Sequence, residues 1–180
     1  MVGRMGLDIE KIGRGPLEAV SIIPPGPVVL VAVGEKERDV LAIGMFNVFS
    51  FRPPIVGIAV TASRYSYKLL DESADFSINI PGKDLVDKVI CCGSKSGKSM
   101  NKFEACGLTP VPGKRIRSPS VKECIMNVEC KKLEYFEKGD HIWFLGEVVH
   151  ADVALDYDHS KALLYRDGEF WGISESLKKE

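Results

Sequence analysis

Short runs of β-branched and aromatic residues, each cut by proline or glycine within a few positions, constrain this 180-residue chain more than any other feature. Val28–Val33, Ile55–Thr61 and Phe76–Ile80 have the length and composition of strands. Pro24-Pro25-Gly26-Pro27 breaks any helix ahead of the first run, Pro53-Pro54 precedes the second and Pro81-Gly82 ends the third. Val28–Val33 is unbroken and reads as a strand buried on both faces. Gly34–Asp39 is a charged turn after which Val40–Met45 returns, so these two runs form a hairpin. Phe76–Ile80 alternates in the manner of a half-buried strand.

Helical periods are fewer and shorter. Pro16–Ile23 is a short apolar lead-in. Arg64–Ser73 fits a short helix with Leu69 and Leu70 inward. Lys83–Cys92 sets Leu85, Val86, Val89 and Ile90 on one face. Ser99–Cys106 fits another turn, with Met100 and Phe103 inward and Gly107 as its stop. Thr109–Pro119 reads as an extended connector. Cys124–Phe136 and His141–Val153 are the arms of a large hairpin across Glu137–Asp140, and Ala162–Tyr165 with Glu169–Trp171 make a small one across Arg166-Asp167-Gly168. No βαβ alternation occurs, which argues against a doubly wound sheet. The expectation is a mainly β chain, a closed antiparallel barrel with short α insertions. One domain covers residues 1–180, with 1–15 as an N-terminal extension and 173–180 as a tail.

Charge and cysteine content exclude several functions. A net charge of -1 argues against electrostatic binding of nucleic acid. Glu35–Asp39 and Lys178–Glu180 read as a solvated turn and a frayed terminus. No apolar run reaches the roughly 18 residues that span a bilayer, and charges and glycines interrupt Met1–Arg14, so no secretory signal is read and the expected location is cytoplasmic. The five cysteines are odd in number and none is spaced C-x-x-C, so no metal site is expected and free buried thiols are. The adjacent Cys91-Cys92 is the one notable pair. A Gly-x-Ser-x-Gly elbow and a Gly-x-Gly-x-x-Gly fingerprint are both missing.

The stretch Ile43–Lys68 carries the chemistry. Ser63 stands where a helix N-cap belongs, followed by Arg64 and Ser66. Free N–H groups, the positive end of the helix dipole, a guanidinium and two hydroxyls together suit a phosphate. Gly44–Ser50 reads as a loop of small and aromatic residues able to cradle a flat ring. Each residue also has a plainer reading: a surface ion pair for Arg64, a simple cap for Ser63, a solvated loop for Lys98, a strand end for His141, core packing for Phe46 or Phe49. His150 and His159 read as structural or exposed, and Trp171 stands between packing at a subunit edge and shielding a ring.

Six stretches in order, PPGPVVLVAV, IGMFNVFSFRPPIVGIAV, SRYSYKLL, FSINIP, CCGSKSGKSMNKFEACGLTPVPG and GDHIWFLGEVVHADV, resemble the flavin reductase-like, FMN-binding split-barrel family, including its flavoredoxin and archaeal ferric-reductase-like branch. The resemblance runs from about Ile23 to Gly172. It implies a split β-barrel binding FMN non-covalently, as a homodimer, with NAD(P)H as co-substrate and a redox protein among the acceptors. It implies that Gly44, Met45, Phe46 and Asn47 border the isoalloxazine with Ser50 nearby, that Ser63, Arg64 and Ser66 hold the phosphate, that Ser96, Gly97 and Lys98 close over the groove, and that His141 lies near the flavin or nicotinamide as the catalytic candidate. Members often carry Ser or Thr where Gly44 and Asn47 stand, which shifts ring contacts here toward backbone N–H groups. The function implied is hydride transfer from NAD(P)H to flavin, then to free flavin, ferric iron or a redox protein. The alternatives are an electron carrier with no nicotinamide site and a non-catalytic flavin-binding module.

Overall fold

A computed structural model describes residues 9–174; the charged tail Lys178–Glu180 and residues 1–8 lie outside the described residues. After a six-residue helix α1 (Pro16–Ser21) and a two-residue strand β1 (Gly26–Pro27), the chain lays down β2 (Val29–Val33), β3 (Asp39–Ile43), β4 (Phe46–Phe51) and β5 (Pro54–Val60). Helix α2 (Tyr65–Glu72) leads into β6 (Asp75–Ile80), and α3 (Val86–Ser94) and α4 (Lys102–Ala105) follow. A small ribbon of β7 (Pro110–Val111) and β8 (Ser120–Val121) precedes the long hairpin β9 (Met126–Lys138) and β10 (His141–Val153). The hairpin β11 (Leu163–Arg166) and β12 (Glu169–Gly172) ends the described chain.

Seven strands pair in the order β3-β2-β6-β9-β10-β5-β4, every pairing antiparallel. The end strands of that order, β3 and β4, are consecutive in sequence, with only Gly44 and Met45 between them. The sheet must therefore curl until its two edges meet at that junction, which makes it a split barrel rather than a flat sheet. Met45 continues the pairing into the gap, its carbonyl accepting from the Ala59 N–H at 3.0 Å.

The curl explains why β2 is apolar at every position. Val29, Val31 and Val33 face the barrel interior with Ile58, Phe76 and Phe144. Leu30 and Ala32 face outward onto Leu85, Val89, Cys92 and Phe103 of the α3–α4 layer. Both faces are covered, so no polar alternation survives. The small sheet β1-β11-β12 packs beside this layer, and Val28 N–H donates to Leu163 O at 3.2 Å.

Four local expectations are corrected. Phe76–Ile80 is not half-buried: Ser77 and Asn79 are as inaccessible as Phe76 and Ile78. Asn79 donates to Leu30 O (2.8 Å) and its Oδ1 accepts from Val121 N–H and Asn127 Nδ2, so buried hydrogen bonds replace water on the polar face. Ile90 and Met100 point outward rather than into the core. The lead-in Pro16–Ile23 holds the helix Pro16–Ser21, which has no buried residue. Gly44–Ser50 is not a loop. Only Gly44 and Met45 lie between strands, and Phe46 onward is an edge strand paired with β5. The β-propensity of Phe46, Val48, Phe49 and Phe51 and a ready partner outweigh the loop signal of Gly44, Asn47 and Ser50.

Candidate functional site

A cleft of about 830 Å³ opens where the barrel is split, within the size range of small-molecule and cofactor sites. Its lining comes from the junction Ile43-Gly44-Met45, the end of β5, the start of α2, the end of α3 and the loop Ser94–Gly97. The tip of the β11–β12 hairpin and His141 at the start of β10 complete the rim.

The α2 wall is held by a buried charge cluster. Asp39 is fully buried, 3.1 Å from the ammonium of Lys102, itself 3% exposed, and it accepts the hydroxyl of Ser66. A β-carbon on Gly97 would lie 2.6 Å from Asp39 Oδ1, so the loop passes this carboxylate at a distance open only to glycine. β3, α2, α4 and the cleft loop are thus tied at one point, with both charges paired. The turn Glu35–Asp39 is therefore not a wholly solvated one. Its last residue lies beneath the cleft lining, where it holds Ser66 and Lys102, and Glu37 accepts the Tyr65 hydroxyl.

In the lining itself, α2 begins at Arg64, which occupies the N-cap position with no side-chain cap bond. Ser63 is not the cap. Its hydroxyl pairs with Thr61 Oγ1 at 3.2 Å, and both residues are on the cleft wall. Arg64 N–H donates to Thr61 O and Tyr67 N–H to Arg64 O, which leaves the N–H groups of Tyr65 and Ser66 and the α2 dipole for an anion. The exposed Arg64 guanidinium donates to Gly93 O at 3.2 Å, which aims it across the gap toward α3. Ser66 lines the same wall, but its one proton is committed to Asp39, so it fixes α2 rather than donating to a ligand.

The α3 wall carries a covalent tie. Cys91 and Cys106 form a disulfide with Cα atoms 5.6 Å apart, which corrects the expectation that all the thiols are free. It joins α3 to the end of α4 and encloses the cleft loop. Cys92, Cys124 and Cys130 are free and buried. Burial pushes the Cys92 thiol up to about 11 and the Cys130 thiol to about 12, so neither is a thiolate nucleophile at neutral pH. At the rim, Asp140 Oδ1 lies 2.6 Å from His141 Nδ1, and that hydrogen bond holds Asp140 below the usual carboxylate range. With Nδ1 engaged, Nε2 is the ring nitrogen left for a ligand.

Of the residues singled out from sequence, Gly44, Met45, Ser63, Arg64, Ser66, Ser96, Gly97 and His141 all line this cleft. Phe46, Asn47, Ser50 and Lys98 do not. Phe46 packs against the barrel core. Asn47 Oδ1 accepts from Val48 N–H (2.8 Å) and Ser50 Oγ from Arg52 N–H (3.2 Å), so both polar groups turn back onto their own edge strand. Lys98 is exposed beyond the loop turn made by Ser96. Sequence reasoning missed the hairpin tip Arg166-Asp167-Gly168 with Phe170, and Lys102 beneath the site. An arginine placed directly before an Asp-Gly hairpin turn was the available signal, since such a turn holds its neighbours rigidly.

The fold and cleft define a split-barrel flavin protein, and comparison with known proteins agrees. The flavin reductase like domain family matches residues 23–174, and the chain belongs to that family of flavin-linked oxidoreductases and electron carriers. It is 36% identical over 121 residues to an uncharacterized protein of Archaeoglobus fulgidus, covering 67% of this chain and 68% of that one. The NADH-dependent FAD reductase of Streptomyces globisporus is 24% identical over 148 residues, 81% of this chain and 78% of the other. Flavoredoxin from Methanosarcina acetivorans superposes with a TM-score of 0.84 at 26% identity over 95% of each chain. No helix among the described residues is long and apolar enough to cross a membrane.

The residues present fit a flavin. An uncapped helix start with a guanidinium beside it suits a phosphate, and the barrel junction brings Gly44 to the cleft lining with the Met45 and Tyr165 side chains beside it, a surface that suits a ring.

Proposed function

We propose that the cleft binds FMN non-covalently and that the protein catalyses transfer of a hydride from NAD(P)H to that flavin, with electrons passing on to free flavin, ferric iron or a redox protein. The observation that carries the reading is the conjunction of the uncapped α2 start and Arg64 with the Gly44–Met45 junction across one cleft. A bound flavin supplies the hydride-accepting chemistry. The chain's own part is positioning. Arg64 and the α2 N–H groups take the phosphate, and Gly44 and Met45 run along the ring edge. Ser63, Ser96 and Gly97 border the cofactor, and His141 faces the ring or the nicotinamide through Nε2. Backbone dipoles at the Gly44–Met45 junction would stabilise negative charge on a bound ring without reorganisation. A homodimer and a cytoplasmic setting belong to the same proposal.

Similarity to a flavoredoxin supports a second reading, an FMN electron carrier without a nicotinamide site. Anaerobic mixing of the flavin-loaded protein with NADH and then NADPH separates the two. Rapid bleaching of the flavin bands is the expected result. Bands that persist with both nucleotides, yet bleach with a reduced redox protein, overturn the reductase in favour of the carrier.

A further inference from the structure

Between Cys91 and Cys106 the chain passes along the cleft, and Gly93, Ser96, Gly97 and Lys102 of this stretch are among its lining. The middle of the stretch has little to hold it. Residues 94–96 and 98–101 are exposed. Among the described residues, the N–H bonds of residues 95–101 are local. Lys95 N–H donates to Cys91 O at 3.1 Å, Ser99 N–H to Ser96 O at 3.3 Å and Lys98 N–H to Ser96 Oγ at 3.3 Å. Exposed backbone bonds and few buried contacts mark a segment that opens at low cost.

Both ends of the stretch, however, carry contacts that position α2. Just past Cys91, Gly93 O accepts the Arg64 guanidinium at 3.2 Å. Just ahead of Cys106, the Lys102 ammonium lies 3.1 Å from Asp39, which in turn accepts the Ser66 hydroxyl. Cys91 O also takes the Ser94 hydroxyl at 3.2 Å, so the start of the cleft loop hangs on a residue of the disulfide itself. The disulfide joins these two ends, from the last turn of α3 to the C-cap of α4. Its two sulfurs differ in access. Cys91 is half-buried and Cys106 is buried, so an incoming thiolate meets Cys91. Burial pushes the neighbouring thiols Cys92 and Cys124 up, so neither competes for the bond as a thiolate at neutral pH.

We propose that Cys91–Cys106 is a thiol–disulfide exchange site that sets flavin affinity. With the bond formed, Gly93 and Lys102 hold Arg64 and Ser66 in place around the phosphate end of the cleft; a dithiol reductant opens the bond, loosens both anchors and lowers the affinity. The assignment rests on the flavin reading of the cleft. In the exchange, one thiolate of the dithiol attacks Cys91 Sγ, the bond to Cys106 breaks, and Cys106 leaves as a thiolate that takes up a proton. The second thiolate of the dithiol then attacks the mixed disulfide and releases Cys91, which is protonated in turn. Two electrons pass from the dithiol to the protein disulfide, the dithiol ends as a disulfide, and the two protons that it loses balance the two gained. By linkage, the factor by which the bond tightens flavin binding is the factor by which flavin disfavours reduction of the bond.

FMN titration of the full chain with the bond intact, of the same protein reduced by dithiothreitol, and of the Cys91→Ser, Cys106→Ser double variant tests this, with thiol labelling to read the state of the bond. The expected Kd for FMN is at least about fivefold higher in the reduced protein and in the double variant, the low end of ordinary coupling between sites. Reoxidation restores the affinity of the wild type and leaves the variant unchanged. Equilibration against mixtures of reduced and oxidised dithiothreitol supplies the reciprocal reading: saturating FMN lowers the midpoint of the bond, by about 20 mV for a fivefold effect on a two-electron couple. Equal FMN affinity in the oxidised and reduced proteins, with a midpoint that FMN does not move, overturns the switch and leaves the flavin reading standing. A bond that resists dithiothreitol in the folded protein, or a protein that unfolds when the bond opens, makes the cross-link structural and overturns the switch as well. Failure of the oxidised protein to bind FMN overturns the flavin reading, and the switch falls with it.

Discussion

The two walls of the cleft are built on different principles. The wall formed by β3, α2, α3 and α4 is tied by a buried ion pair, a disulfide and the outer apolar layer. The hairpin β11–β12 at the rim is held through a two-residue pairing with β1, one isolated bridge from Ala162 to Gly82, and packing of Leu163, Tyr165 and Phe170 on that layer. The first wall has Asp39, Lys102 and Ser66 satisfied internally and offers a ligand the α2 start and Arg64, with Ser63 and Ser96 beside them. The second keeps one buried donor, Arg166 Nε, with no partner among the described residues. A wall that must not move is cross-linked, while the wall that completes a site leaves capacity for what it receives.

The Asp39–Lys102 pair should give the largest effect. Asp39→Ala leaves a buried ammonium uncompensated and frees the Ser66 hydroxyl. We expect a loss of about 3–5 kcal/mol in denaturant-derived stability. A loss under 1 kcal/mol would mean the fixed wall does not depend on this cluster. Next is the disulfide. Cys91 and Cys106 are 15 residues apart, and a Cys91→Ser, Cys106→Ser double variant should be about 2–4 kcal/mol less stable on loop-entropy grounds. Equal stability of the oxidised and double-variant proteins in urea would remove it from the account.

Arg64→Ala acts on ligand rather than fold. Flavin affinity should weaken by on the order of 1.5–3 kcal/mol, the scale of a charge-assisted hydrogen bond, in a protein of unchanged melting temperature. The smallest effect should be Gly168→Ala in the hairpin turn, where φ is +86. The strain should cost about 1 kcal/mol of local stability. Amide exchange should quicken across 163–172 and stay unaltered in β2 and α3, which would show the two walls to be energetically separate. Spread of faster exchange into β2 would contradict that separation.

Much of the barrel was legible because its strands carry their own punctuation. Val28–Val33, Ile55–Thr61 and the long hairpin fall within a residue or two of their observed limits. Arg64 and Gly44 were legible for a related reason, since a helix start and a strand end are local events. What stayed hidden depends on partners far along the chain. Asp39 reads as one more charge in a turn until Lys102, 63 positions later, is brought against it. Asn79 and Ser77 read as a solvent face until β8 and β9 cover them. Cys91 and Cys106 follow no short spacing rule, and only the packing of α3 on α4 sets them at bonding distance. Arg166 reads as the shoulder of a turn until β1 carries β11 to the cleft. The residue-by-residue loop reading of Phe46, Asn47 and Ser50 failed because a strand edge was waiting for them in β5.

The most direct test of the central claim is an FMN titration of the purified protein and of Arg64→Ala side by side, read by quenching of flavin fluorescence. The account predicts one saturable site per chain in the wild type and a parallel curve shifted to higher FMN concentration, on the order of tenfold or more, in the variant. Coincident curves would move the phosphate away from α2. A folded wild-type protein that takes up no FMN would contradict the reading of the cleft itself.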